Sequence, residues 1–196
     1  MSRITPLLLA AVGVVACGPA REPADLPPAV DSTSLAMARA GADELGADLV
    51  TMLTGELKRG GPVAAIAVCA DSAQVRTERH HSAGIVVRRV GTRVRNPKNT
   101  PDGVESAVLS AFADAIAANR AMPDTAFTTR EANGQLVTHY MRAIRVQEFC
   151  LACHGPADSI SAEVKQVIAT RYPDDKATGY RLGDLRGAIS VTVARP

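Results

Sequence analysis

Apolar residues recur at alternating steps of three and four from Leu35 through Ala38, Ala42, Leu45 and Leu49 to Met52. That spacing keeps one side of a 3.6-residue helix apolar and predicts an amphipathic helix from about residue 32 to about residue 58. Ser32 and Ser34 can cap its start, and Gly60-Gly61-Pro62 ends it. Such a stripe suits packing on the chain's own sheet. The seam of a homodimer is the alternative, weakened by its alanines. A second short helix, residues 63–73, carries Cys69 among alanines.

The period then changes. Residues 85–94 are rich in β-branched side chains and read as a strand, and the prolines and asparagines of 95–102 make a loop. Asp102, with Glu105 three residues on, forms a capping box for a helix with Val104, Val108, Phe112 and Ile116 on one side. Asn133-Gly134 separates two strand-forming runs, 127–132 and 135–144, and suits a two-residue type I′ turn. Residues 161–172 read as a helix. In 185–194, Ile189, Val191 and Val193 alternate as in a final strand. Because strands and helices are segregated, the expected class is α+β with a mostly antiparallel sheet.

The first 16 residues follow a different logic. Arg3 precedes an apolar stretch, 7–15, too short to remain in a bilayer as a spanning helix. Val14-Val15-Ala16-Cys17 resembles the lipobox of bacterial lipoproteins, in which cleavage falls before a cysteine that then carries lipid. The expectation is a lipoprotein signal peptide over 1–16 and a lipidated Cys17, with the protein exported and anchored on the periplasmic side of a bacterial membrane. An ordinary secretory signal with an incidental Cys17 is the alternative. Residues 17–31 hold four prolines and little periodicity, which makes them a tether. A proline-rich stretch of that length reaches roughly 40 Å at about 3 Å per residue.

Residues 32–196 are enough for one domain. With only 3% aromatic residues and no tryptophan, its core is short of large side chains, and a flat apolar macrocycle would fill volume. The net charge of +2, with both signs interspersed, gives nucleic acid no footprint.

Candidate chemistry begins at Cys150-Leu151-Ala152-Cys153-His154. This is C-x-x-C-H, the attachment signature of a c-type haem. Cys150 and Cys153 can form thioethers to two vinyl groups of one porphyrin, leaving His154 as the proximal iron ligand. Such attachment takes place outside the bacterial cytoplasm, in agreement with the export signal. A Cys₃His zinc site built from Cys69, Cys150, Cys153 and His154 is a weaker alternative. Thioredoxin-like chemistry lacks its βαβ context.

A sixth iron ligand could come from Cys69, His80, His81, His139, Met37, Met52, Met122 or Met141. Mid-helix Met37 and Met52 read more simply as core, His139 as a hydrogen-bonded strand residue, and His80-His81 as a solvated turn. Cys17 goes to lipid and two cysteines go to haem, so Cys69 is left unpaired in an oxidising compartment, which favours it as a ligand.

Five segments resemble a family of bacterial c-type haem proteins with a PAS-like domain, long catalogued as a domain of unknown function and known in cyanobacteria. They are 61–69 (GPVAAIAVC), 94–102 (VRNPKNTPD), 150–155 (CLACHG), 172–180 (YPDDKATGY) and 183–191 (GDLRGAISV). The resemblance implies a PAS-like antiparallel sheet flanked by helices. It also implies iron held between His154 and Cys69, and redox or diatomic-gas sensing (NO, CO or O₂).

A thiolate ligand would favour ferric iron and could leave on reduction, opening a site for gas. A periplasmic electron-transfer cytochrome is the competing reading. An enzyme is disfavoured because no acid–base groups suggest an open distal face. The strand ending at 194 is followed by no output segment in this sequence, so a signal is expected to pass through a separate redox or output partner, or through a dimer of the N-terminal helix.

Overall fold

The computed structural model describes residues 27–121 and 123–195. The signal peptide, Cys17, most of the tether and Met122 lie outside them. The chain begins with α1 (Ser32–Arg79), followed by β1 (Ile85–Gly91), α2 (Gly103–Ala117), β2 (Thr125–Arg130) and β3 (Leu136–Arg145). After these come the short α3 (Leu151–His154), α4 (Ala162–Arg171) and β4 (Leu185–Ala194). The four strands form one antiparallel sheet in the order β1-β4-β3-β2. With helices on both faces, this is the expected α+β, PAS-like arrangement.

α1 is two helices joined at a kink. Gly61 takes φ 70° and ψ −168°, a conformation open essentially to glycine alone, so the chain reverses there. Asp48 before the kink meets Arg76 and His80 after it, which makes the two limbs an antiparallel pair. Asp31, rather than Ser32 or Ser34, is the N-cap, accepting from both the N–H and the hydroxyl of Ser34. The second limb continues to Arg79, beyond the predicted end at 73.

The apolar stripe of the first limb packs on the chain's own sheet. Ala38, Ala42, Leu45, Leu49 and Met52 join Val87, Tyr140, Ile189, Val191 and Val193 in the main core. Met37, expected in the core, is 47% exposed because it sits one residue off that stripe. Val50 is exposed as well, so a dimer through this helix would have to use its outer side. The opposite sheet face is covered by α2 through Val108, Leu109 and Phe112 against Val90, Met141 and Ala188. Its capping box forms as predicted, with Asp102 accepting from Glu105 N–H and Glu105 from Asp102 N–H.

The hairpin between β2 and β3 departs from expectation. Only Gly134 has positive φ, at 84°, whereas a type I′ turn would need Asn133 there too. The turn runs from Glu131 to Gly134, and Asn133 uses its side-chain oxygen to accept from Gln135 N–H. β1 also ends three residues early, at Gly91. Among the described residues no helix is long and apolar enough to cross a membrane.

Candidate functional site

Both limbs of α1, the ends of β1, β3 and β4, the 95–99 loop and the C-x-x-C-H segment enclose a cavity of about 300 Å³. Its wall is mostly apolar, with Leu49, Met52, Ile66, Phe149 and Ile189 contributing. Cys69, Cys150, Cys153 and His154 all line it. The kink at Gly61 is what makes this possible, because it folds the Cys69-bearing limb back over the site.

The motif is held by the 172–180 loop. Tyr180 N–H donates to His154 O at 2.9 Å, and Gly179 N–H donates to Gly155 O at 2.7 Å. A Cβ at Gly155 would meet the Leu151 carbonyl at 2.6 Å, so the turn after the histidine requires glycine. His154 Nδ1–H donates to Ala177 O at 2.6 Å. This fixes the tautomer and leaves Nε2 with a free lone pair, the form in which histidine binds a metal. Burial, with Arg186 and Arg95 nearby, pushes this imidazole well below the usual histidine range and keeps it neutral. Burial likewise pushes the Cys69 and Cys153 thiols up, while Arg89 opposes the shift at Cys69 and Arg95 opposes it at Cys153.

The cavity contains groups that the sequence reading passed over. Arg89, Arg95, Arg186, Tyr172 and Asn99 also line it. Arg95 makes a bidentate pair with Asp175 and donates to the Cys153 carbonyl at 2.7 Å. Arg89 was legible in principle, since it follows Ile85 and Val87 at two-residue spacing and so shares their inward face.

Other candidates lie elsewhere. His139 stacks on Phe127 at 4.9 Å and meets Thr129 at 2.9 Å. His81 donates to Val87 O, and His80 faces Asp48. Met141 is buried under α2. Met52 alone of the described methionines lines the cavity. Among the described residues, no three His, Cys, Asp or Glu side chains gather closely enough to hold a metal ion, so the Cys₃His arrangement for zinc does not form.

The residues fit a c-type haem: a largely apolar slot, two cysteines three apart on its wall, and a histidine with one nitrogen tied and the other free. The sequence model of the Tll0287-like family matches residues 23–194. The chain belongs to this family. A solved member, described as the cyanobacterial heme-protein Tll0287, superposes with a TM-score of 0.65 at 27% identity, covering 85% of this chain and 98% of its own. No curated protein matches the chain. The family match spans both limbs of α1, the sheet and the C-x-x-C-H segment, so the whole cavity lies inside it.

Proposed function

We propose that this chain is an exported, lipid-anchored c-type haem protein acting as a redox or diatomic-gas sensor module. The observation that carries the reading is the convergence of Cys69, Cys150, Cys153 and His154 on one apolar cavity, in a chain related to a haem protein. Cys150 and Cys153 hold one haem c through thioethers. His154 offers Nε2 as proximal ligand, with its ring oriented by Ala177. Cys69 is the second axial ligand. When bound, the haem supplies an iron that changes oxidation state and accepts small ligands.

What makes the module responsive is where Cys69 sits. It rides on the limb beyond Gly61, so its release would be felt along the segment that reaches back to Asp48 through Arg76 and His80. A signal would pass to a separate redox or output partner, or across a homodimer formed by the outer side of α1. Cys17 and the residues up to 31 would anchor the domain at the periplasmic face of the membrane.

A periplasmic electron-transfer cytochrome is the second reading, favoured by Met52. This thioether lies on the same cavity wall and would give a ligand retained in both oxidation states.

Ferric, ferrous and ferrous-CO absorption spectra of the holoprotein and of Cys69→Ala test both readings. The sensor reading expects a red protein whose ferric spectrum is low-spin, turns high-spin in Cys69→Ala, and whose ferrous form binds CO. An unchanged low-spin ferric spectrum in the variant removes Cys69 as ligand. A ferrous form that refuses CO favours the carrier.

A further inference from the structure

Four arginines line one largely apolar cavity, and only Arg95 is matched by a carboxylate; exposed Arg145 donates to the Gly183 carbonyl, which leaves Arg89 and Arg186. Arg95 is taken by Asp175 through two bonds of 3.0 Å. Arg186 donates to the Arg93 carbonyl at 3.2 Å and lies 5.4 Å from the Tyr180 ring centre, but meets no acid. Arg89 has neither a carboxylate nor a hydrogen-bond partner among the described residues. It extends from β1 on the face it shares with Val87. Arginine stays charged in a protein, and both side chains are only part-buried with no unpartnered nitrogen sealed from solvent, so they present free donors to an anion entering the cavity. Burial, with repulsion from Arg89 and Arg95, pushes the Arg186 guanidinium down.

We infer that Arg89 and Arg186 form a two-cation seat for the two propionate carboxylates of the haem. The proposal rests on the haem reading above and deepens it. Two unmatched cations meet a macrocycle whose periphery carries two anions, in a slot whose other walls are mostly apolar. Each guanidinium can grip a carboxylate with two parallel N–H donors. Glycine at 91 leaves room for this, since a Cβ there would stand 3.0 Å from the Arg186 guanidinium.

The test uses holoprotein matured with covalent haem and the variants Arg89→Gln, Arg186→Gln, Arg89→Lys and Arg186→Lys, with Arg130→Gln at the hairpin as a control. Haem content is read as pyridine haemochrome, propionate pairing as the propionate bending band in resonance Raman, and local charge as the reduction potential. Each glutamine variant is expected to keep its covalent haem, shift the propionate band and lower the potential, because removing a cation disfavours adding an electron. The lysine variants should restore the potential more fully than the band, since an ammonium keeps the charge but not the planar fork. If the glutamine variants do not accumulate, the band shift in the lysine variants decides.

Normal haem content with band and potential unchanged overturns the seat while leaving the haem reading intact. So does a changed sulfur-ligand spectrum with an unchanged propionate band, which would make Arg89 a partner of Cys69 instead. A wild-type protein without haem overturns the haem reading and the seat together.

Discussion

Arg95 and Asp175 are joined by two hydrogen bonds of 3.0 Å, and the same guanidinium donates to the Cys153 carbonyl at 2.7 Å. One ion pair therefore ties the 172–180 loop to the segment that carries the cysteines. Its side chains are only 10% and 7% exposed, so removing one partner leaves a charge stranded from water. Asp175→Asn is expected to cost about 3–5 kcal/mol, read by urea denaturation of the holoprotein. It should also loosen Ala177, whose N–H donates to Asp175 at 2.9 Å. A double-mutant cycle with Arg95→Gln should show strong coupling, and simple additivity would refute the pairing.

Gly61→Ala tests the kink. No atom lies within 4 Å of the new Cβ, so crowding is not the issue. The backbone conformation is, and forcing it on an alanine should cost about 1–3 kcal/mol. Because the kink aims the second limb, the ferric spectrum should change along with stability. A loss of stability with no spectral change would separate Cys69 from the iron.

Gly187 sits at the end of the β1–β4 pairing, opposite Gly91, and a Cβ there would stand 2.0 Å from the Val90 carbonyl oxygen. No side chain can yield, since the obstacle is backbone. Gly187→Ala is expected to destabilise by more than about 4 kcal/mol, in the exceptional range for a single substitution. A thermal melt within a degree or two of wild type would contradict the β1–β4 register.

His139 gives the fold a pH dependence. Burial holds its pKa below the ordinary histidine value of 6.5, against opposing pulls from Glu131, Asp102 and Glu105. The unfolded chain therefore binds a proton at a pH where the folded chain does not. The stabilising contribution is complete above pH 6.5 and declines as pH falls below it. His139→Gln should flatten the stability profile on that acid side. The measurement belongs to haem-loaded protein, where His154 is expected to be held by iron. Parallel profiles for wild type and variant would exclude His139 as the source.

Cys150→Ala and Cys153→Ala should each leave a single thioether, and the double variant should release its haem into acidified organic solvent. Haem that stays with the double variant through such extraction would end the covalent reading.

Much of this was legible in the sequence, for identifiable reasons. The stripe from Leu35 to Met52 and the Asp102–Glu105 box are local, and short-range spacing determines both. The C-x-x-C-H motif is equally local. Asn133-Gly134 marked a turn correctly but not its type, because an asparagine side chain can cap a turn without adopting positive φ. Met37 looked like core only because periodicity in one element does not settle which methionine lies one step off the stripe. Strand alternation places Arg89 on the inward face of β1, but charges in loops and at strand ends are usually solvated, and only the folded chain brings Arg95 and Arg186 to the same cavity. Tyr172 and Asn99 became cavity residues through tertiary packing that no spacing encodes.

The unmatched Arg89 bears on the order in which this protein is assembled. Arg89 reaches the cavity with no carboxylate to meet it, so a dicarboxylate entering there gains a contact that only the folded chain offers. Folding and haem capture are then linked events, because whatever binds the folded state alone shifts the balance towards it. On the proposed function, a new polypeptide would be less stable until its haem is bound. Maturation would thus be self-checking: a compact, protease-resistant domain would indicate that the haem is already in place.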